Sequence, residues 1–314
     1  MEKYCVNISS VKEYMRCRYR WTCKWVLNRV PRKEPVALTF GKLFHLVFED
    51  YLNGVATMAH AIEQRKMEWR QRAVQTDDLA ERDACEEAIA ELDKYAPTMQ
   101  VWQDRYTFDI PTLEVEEPFE VQSPFNPYIW FKGRPDRVGV LYGRVFHVQN
   151  RSLSPSLHFG TYAKLAERHL HELVYGYALA RKYPGYPYGG TVLNLLRKLK
   201  PVGKATKKFP EGKPLHDVNE LMWQGLVNLS EQQILDGMSR ATEWAEEMQE
   251  TQRRFRNSKC RTFPLPNEEL NGGFAGNTID PYFRVMQGEV DLYDDRWFKN
   301  REEMYAGVQP EANG

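Results

Sequence analysis

Residues 145–154 read VFHVQNRSLS, a short strand pattern that carries unusually many polar side chains. Because side chains of a strand alternate between its faces, His147, Gln149 and Arg151 share one face, opposite Val148. Three polar groups on one face predict either a functional site or a solvated strand face. A site for metal-assisted hydrolysis would ordinarily have a carboxylate at position 149 and a lysine at position 151. The stretch therefore predicts an active site, an altered active site or a solvated face, and the rest of the chain must decide.

The segments around this strand alternate between strand and helix patterns. Upstream, LEVEEPFEV and YIWFKGRPDRVGVL are rich in β-branched and aromatic residues, which is typical of strands. A turn at Tyr142 predicts that residues 136–141 and 144–151 are antiparallel neighbours. Downstream, helical periodicity covers 158–183, and GGTVLNLL at 189–196 predicts a further strand. This mixture predicts an α/β fold.

Helical patterns dominate the N-terminal third of the chain. Residues 9–30 have aromatic and aliphatic side chains at helical spacing, with Ser9 or Ser10 able to cap the start. Residues 40–53 form a second helical pattern with a strong apolar stripe. The polar, helix-prone stretch that follows predicts a helical arm or insertion over 57–105. The sequence thus predicts a helical N-terminal region and arm next to the α/β core.

The C-terminal part contains one clear helix followed by an irregular tail. Ser230 and Gln233 have the spacing of a capping box, and they predict a long helix to about residue 256. The tail at 258–314 has no regular pattern. Because the chain has no internal repeat and no low-complexity linker, we expect a single domain over 1–314.

Composition limits the classes of function without selecting one. The chain has 43 basic and 43 acidic residues, so its overall charge does not favour nucleic acid or a membrane. The N-terminus lacks a secretory signal, and no apolar run reaches the roughly 18–20 residues of a membrane span. Five scattered cysteines predict reduced thiols, not a disulfide framework. We therefore expect a cytoplasmic protein without membrane contact.

Four groups of residues follow one another in an order that suggests a nuclease. They are Gly41-x-x-x-His45 with Glu49 one turn later, Gly133-Arg134-Pro135-Asp136, the pair Gln149 and Arg151, and His171-x-x-x-Tyr175. This order and spacing resemble the PD-(D/E)XK nuclease superfamily, specifically its RecB-like branch. That branch includes CRISPR-associated exonucleases and many phage nucleases.

The resemblance implies a fold and an activity. The fold is a restriction-endonuclease-like core, which is a mixed central sheet flanked by helices. The activity is hydrolysis of DNA phosphodiesters with Mg²⁺ or Mn²⁺, as an exonuclease in phage or mobile-element replication and recombination. If the protein is phage-encoded, its location would be the host cytoplasm. A helicase or recombination subunit would be a partner in that setting.

The resemblance also implies roles for individual residues. The metal ligands would be His45, Asp136 and Gln149, and Arg151 would complete the catalytic group by holding water or phosphate. Four further side chains would support the site: Glu49, His147, His171 and Tyr175. Of these, His147 could also serve as a substitute metal ligand.

Three positions depart from the family pattern. Gln149 is a neutral amide where the family has a carboxylate, and Arg151 has too high a pKa to act as a base. His171 stands where the family has glutamine. These departures leave two alternatives: a lapsed relative that binds nucleic acid or a protein without cutting, and a structural subunit of a larger assembly. An ion pair between Arg151 and Asp136 in the metal position would favour the lapsed site.

Two basic stretches predict contacts with single- or double-stranded DNA, although solvated surface is the alternative. The residues concerned are Arg18, Arg20, Lys24, Arg197, Lys198, Lys200 and Lys204. Several relatives also hold an iron–sulfur cluster through one N-terminal and three C-terminal cysteines. Here Cys17 or Cys23 could be the first ligand, but the C-terminal region has only Cys260. We therefore expect no iron–sulfur cluster, and we expect the tail to resemble a cluster-binding region that has lost its cysteines.

Overall fold

The computed structural model describes most of the chain up to residue 257. The described residues are 2–31, 36–54, 57–104, 110–201, 203, 208, 214–257, 292–293 and 298–300, of which 36–38 and 298–300 are described by their backbone alone. Contacts divide the chain into two compact units, one made of 1–34, 122–132 and 239–314 and the other of 35–121 and 133–238. The single domain expected over 1–314 stays a prediction, and the tail at 258–314 lies almost entirely outside the described residues.

The described helices and strands alternate as the sequence pattern predicts. The helices are α1 (Ile8–Arg16), α2 (Arg18–Trp21), α3 (Val36–Leu52), α4 (Met58–Gln75), α5 (Leu79–Gln103), α6 (Phe159–Ala166), α7 (Leu170–Lys182), α8 (Val218–Leu221) and α9 (Glu231–Asn257), with a π-helical turn at Thr22–Val26. The strands are β1 (Tyr4–Asn7), β2 (Arg29–Pro31), β3 (Thr112–Val115), β4 (Phe119–Gln122), β5 (Ile129–Gly133), β6 (Arg137–Leu141), β7 (Arg144–Leu153), β8 (Tyr188–Arg197), β9 (Met222–Val227) and β10 (Phe298–Asn300).

In the first unit, the helix predicted over 9–30 is interrupted. Cys17 adopts extended backbone with φ −160°, which separates α1 from α2. The predicted cap at Ser9 or Ser10 is wrong, because Asn7 caps α1 by accepting a hydrogen bond from the Ser9 backbone N–H at 2.8 Å. In the second unit, the capping box at the start of α9 is confirmed, since the Ser230 N–H donates to Gln233 Oε1 at 2.8 Å and the Gln233 N–H donates to Ser230 Oγ at 3.2 Å.

The second unit is built on a five-stranded mixed sheet with the order β3-β6-β7-β8-β9. β6 and β7 are antiparallel and joined by a tight turn, with Leu141 paired to Arg144, as the sequence predicted. Tyr142 and Gly143 in that turn both have positive φ, at 50° and 69°, which matches a two-residue hairpin. β7 pairs in parallel with β8, which itself pairs antiparallel with β9. His147 and Gln149 on β7 are 0% and 1% exposed, so the solvated strand face is excluded.

Helices cover both faces of β7. Gly41 of α3 packs against Ser152, and a Cβ at Gly41 would lie 3.7 Å from its Oγ. Glu172 of α7 contacts His147, which points to the opposite face from Ser152. This arrangement is the mixed sheet flanked by helices that the fold prediction specified.

The remaining helices of this unit differ from the prediction in detail. The arm expected over 57–105 consists of α4 and α5, which share a buried core with α3. The helix expected over 158–183 is two helices, because the backbone N–H groups of Arg168 and His169 bond three residues back and tighten the turn. In the described parts of the chain, no helix is long and apolar enough to cross a membrane.

Candidate active site

Three side chains from separate elements of the second unit converge on one point. His45 lies on α3, Glu116 directly follows β3, and Asp136 directly precedes β6. Their potential ligand atoms all lie within 4.8 Å of one another, and His45 Nδ1 is 3.4 Å from Asp136 Oδ2. His45 and Asp136 are two of the ligands predicted from the sequence. Glu116 is a carboxylate that the sequence reasoning missed.

Backbone geometry explains why Glu116 reaches this point. Val115 pairs with Arg137, so the next step along both strands brings Glu116 opposite Asp136. The Glu116 backbone N–H donates to the Asp136 carbonyl at 3.2 Å. Glu116 has φ 53°, a left-handed conformation that few side chains adopt without compensation. Such strain commonly accompanies functional sites, where the surrounding structure enforces it.

Asp136 is held by contacts to its side chain and to the GRPD loop (residues 133–136) that carries it. The Asn150 backbone N–H donates to Asp136 Oδ2 at 2.8 Å. The Tyr175 hydroxyl accepts from the Arg134 N–H at 3.3 Å and donates to the Arg134 carbonyl at 3.1 Å. Gly133 is required here, because a Cβ would lie 2.5 Å from the Tyr175 ring. The Tyr175 hydroxyl therefore holds the backbone of this loop, while the supporting role predicted for Tyr175 stays a prediction.

Gln149 offers an oxygen with no donor. Its side chain is 1% exposed, and among the described residues its Oε1 has no hydrogen-bond partner. Arg137 pairs with Val148, so the antiparallel register brings Gln149 opposite Asp136. A buried oxygen without a donor costs about 1–3 kcal/mol, unless a ligand satisfies it. An unsatisfied amide oxygen, two carboxylates and an imidazole are a donor set that fits Mg²⁺ or Mn²⁺.

The electrostatics of the cluster also favour a cation. Burial raises the pKa of Glu116 to about 8, the charge of Asp136 adds to this rise, and Arg134 opposes it. Burial likewise raises the pKa of Glu49, and the negative charge of Asp136 adds to this rise. Burial lowers the pKa of His45, which keeps its imidazole neutral and its lone pair available. A divalent ion would stabilise the charged carboxylates and coordinate the neutral imidazole.

Arg151 does not occupy the metal position. Burial lowers the pKa of Arg151, but the charges of Asp136 and Tyr162 outweigh this and raise it. In the part of the chain that the structure describes, Asp136 Oδ2 lies 3.4 Å from His45 Nδ1, and no ion pair joins Asp136 to Arg151. The contact that would favour a lapsed site is therefore not formed.

Comparison with protein families agrees with this geometry. The family model described as the PD-(D/E)XK nuclease superfamily matches residues 6–267. The chain belongs to this superfamily. None of the curated proteins compared with it matches. Membership implies divalent-metal-dependent nuclease chemistry and binding of nucleic acid, whereas the RecB-like branch stays a prediction.

Behind the nuclease site, a buried polar network anchors His147. His147 Nδ1 is 3.3 Å from Glu172 Oε2, which also accepts a hydrogen bond from Thr191 Oγ1 at 2.9 Å. Burial alone would raise the pKa of Glu172, but the hydrogen bond and charge of His147 outweigh it and lower the pKa to about 2. His147 Nε2 is buried and has no partner among the described residues. No sequence motif pointed to Glu172 beyond its position next to His171.

The other predicted supporting residue, His171, lies beside Tyr175. The two rings are 5.5 Å apart and meet edge to face at 72°. Tyr175 also meets the His147 ring at 4.9 Å. His171 thus packs against the tyrosine whose hydroxyl bonds the GRPD loop, and its supporting role stays a prediction.

Five of the seven basic residues predicted to contact DNA have protein partners in the structure. In the first unit, Arg18 pairs with Glu247, while Arg20 and Lys24 pair with Glu13 at 2.9 and 3.5 Å. In the second unit, Arg197 donates to the Pro155 carbonyl at 2.7 Å, and Lys198 lies over the Phe40 ring at 5.7 Å. Lys200 is exposed, and Lys204 lies outside the described residues. Contact of these side chains with DNA stays a prediction.

The cysteines give no geometry for a cluster in the described residues. Among the described residues, Cys5, Cys17, Cys23 and Cys85 form no disulfide, and Cys260 lies outside the described residues. Burial raises the pKa of Cys23 to about 12, which makes this thiol a poor source of thiolate.

Proposed function

We propose that this nuclease is an active deoxyribonuclease that hydrolyses phosphodiesters with Mg²⁺ or Mn²⁺. One observation carries the proposal: Glu116 joins His45 and Asp136 within 4.8 Å. The family pattern requires a second carboxylate, and Gln149 does not provide it. Glu116 supplies that negative charge from a different strand, so the altered site keeps two carboxylates.

Different side chains would have different roles in hydrolysis. His45, Glu116, Asp136 and the Gln149 amide oxygen would hold the cation. The bound cation would polarise the phosphate and lower the pKa of an attacking water. Arg151 stays charged and can grip a phosphate oxygen through two parallel hydrogen bonds. The Tyr175 hydroxyl keeps the GRPD loop, and with it Asp136, in place.

We further propose that the enzyme is an exonuclease of the RecB-like branch that serves phage or mobile-element replication and recombination. The order of the four residue groups supports this proposal. DNA would be the partner, and a helicase or recombination subunit stays a prediction from the resemblance alone.

The test is cleavage of end-labelled linear DNA, single- and double-stranded, with Mg²⁺, Mn²⁺ or chelator. We expect cleavage that needs the cation and that Asp136→Ala and Glu116→Gln both abolish. A closed circular substrate that stays intact would identify an exonuclease. A wild-type protein that binds DNA and leaves every substrate uncut would favour the lapsed relative instead.

A further inference from the structure

Arg134 is a charged side chain at the site to which the mechanism above assigns no role. Its Nε lies 2.7 Å from Glu116 Oε2, and its side chain is 60% exposed whereas that of Glu116 is 23% exposed. From the solvent side, Arg134 thus binds the carboxylate of Glu116, one of the candidate metal ligands. An ion pair this exposed is weak, because water screens it.

The backbone of Arg134 is fixed although its side chain is exposed. The Tyr175 hydroxyl bonds both the N–H and the carbonyl of Arg134, and the Pro135 ring that follows disfavours helical backbone at Arg134. Gly133 is in close contact with Tyr175 on the other side. A side chain on such a fixed base can change its partner without moving Asp136.

The positive charge of Arg134 affects the pKa values of the ionisable groups around the candidate metal site. Burial raises the pKa values of Glu116 and Glu49, and the charge of Arg134 opposes that rise; burial lowers the pKa of His45, and Arg134 adds to that lowering. A divalent cation held by Glu116 would bring two further positive charges to this place. The cation would repel the guanidinium and compete with it for the same carboxylate. A phosphodiester is the anion that enters the site with the cation, and arginine recognises phosphate oxygens well.

We propose that Arg134 is an exchangeable phosphate-binding residue: Glu116 holds it in the metal-free protein, and the bound cation releases it to the nucleic-acid backbone. This inference rests on the proposed function, since it needs a cation at His45, Glu116 and Asp136. It gives Arg134 a role distinct from that of Arg151, whose side chain is far more buried.

The test measures Mn²⁺ binding and DNA binding of Arg134 variants, with and without the cation. Wild type, Arg134→Ala and Arg134→Lys are titrated with Mn²⁺ alone, followed by electron paramagnetic resonance. The same proteins then bind short phosphorothioate DNA, which resists hydrolysis, in Mn²⁺ and in chelator. Arg253→Ala is the matched control, because Arg253 is 70% exposed and pairs with Glu250 at 2.6 Å.

We expect Arg134→Ala to bind Mn²⁺ as tightly as wild type or a few-fold more tightly, because a competing cation is gone. In Mn²⁺ its affinity for DNA should fall about tenfold, and the salt dependence of binding should decrease by about one phosphate contact. In chelator the loss should stay within about twofold. Arg134→Lys should recover part of the affinity, and Arg253→Ala should match wild type throughout.

Other outcomes overturn the inference in distinguishable ways. Weaker Mn²⁺ binding by Arg134→Ala would make Arg134 a structural support of the cluster. An equal loss of DNA affinity with and without cation would make it a constant phosphate contact, and no loss in Mn²⁺ would remove it from binding. A wild-type protein that binds no Mn²⁺ would refute the proposed function, and the exchange with it.

Discussion

At the scale of single residues, the site depends on where one negative charge stands. Gln149 is neutral, and Glu116 supplies a carboxylate opposite Asp136 on a neighbouring strand. If metal binding depends on the negative charge alone, a carboxylate at position 149 can replace the one at position 116. We expect Glu116→Gln to weaken Mn²⁺ binding by at least about tenfold and Gln149→Glu to strengthen it.

The double variant Glu116→Gln/Gln149→Glu tests this exchange directly. It has the same charge as wild type and the family arrangement of carboxylates, so Mn²⁺ affinity and cleavage should recover from the level of Glu116→Gln. Isothermal titration with Mn²⁺ and an end-labelled DNA assay would measure both. A double variant no better than Glu116→Gln would mean that Glu116 acts through its position and not its charge.

The sequence predicted the local parts of this site and missed the non-local one. His45, Asp136 and Gln149 belong to motifs whose spacing is visible along the chain. Glu116 lies in LEVEEPFEV, which contains four glutamates, and none of them belongs to a recognisable motif. Its role depends on a positive φ and on pairing between β3 and β6, which residue spacing does not encode. The end of the strand at Glu-Glu-Pro was the only available signal.

At the scale of elements, the polar network ties α7 to the middle of the sheet. Glu172 on α7 joins His147 on β7 and Thr191 on β8. Because the folded pKa of Glu172 is lowered to about 2, its contribution to stability is present above its ordinary pKa of 4.5. That contribution is lost as the pH falls from about 4.5 towards 2. The ionised carboxylate therefore stabilises the fold at neutral pH.

We expect Glu172→Gln to lower the free energy of unfolding at pH 7 and to flatten its decline between pH 4.5 and 2. Urea unfolding at several pH values, followed by circular dichroism, would measure this. Glu220→Gln is the control, since Glu220 forms an exposed pair with His216 at 3.1 Å. Equal acid sensitivity of wild type and Glu172→Gln would contradict the role given to this carboxylate.

A second link crosses three strands through side-chain amides. Asn194 Nδ2 on β8 donates to Asn150 Oδ1 on β7 at 3.0 Å, and Asn194 Oδ1 accepts from Gln224 Nε2 on β9 at 3.0 Å. Asn194→Ala would leave the buried Asn150 oxygen without this donor and destabilise the fold by about 2 kcal/mol or more. The exposed Asn228→Ala should change stability by less than about 0.5 kcal/mol. Chemical unfolding would measure the free energy of unfolding of both variants. Equal losses for the two would show that the amide link does not stabilise the fold.

The elements themselves were largely predictable, because their signals are local. The β6–β7 hairpin follows from its two-residue turn, and α9 begins at its capping box. The helix expected over 158–183 was wrong in one respect, the tight turn at residues 167–169. No proline or glycine marks that turn, and only the hydrogen bonds of the folded chain reveal it.

At the scale of the whole molecule, every candidate metal ligand belongs to the second unit. The ligands come from α3, the end of β3, the start of β6 and β7, and they span residues 45–149 of the sequence. A cation that binds them must therefore oppose the unfolding of this unit. At 100 times its dissociation constant, such a ligand adds about 2.7 kcal/mol to the free energy of unfolding.

This linkage predicts a rise in melting temperature without any DNA present. For a unit of this size, saturating Mn²⁺ should raise the Tm by about 5–10 °C in a scan that follows the second unit. Hydrogen exchange should slow near His45, Glu116 and Asp136, while β1 and α1 in the first unit exchange as before. Asp136→Ala is the control and should abolish both effects. If Asp136→Ala showed the same rise as wild type, the cation would bind elsewhere, and the site built from α3, β3 and β6 would lose its main support.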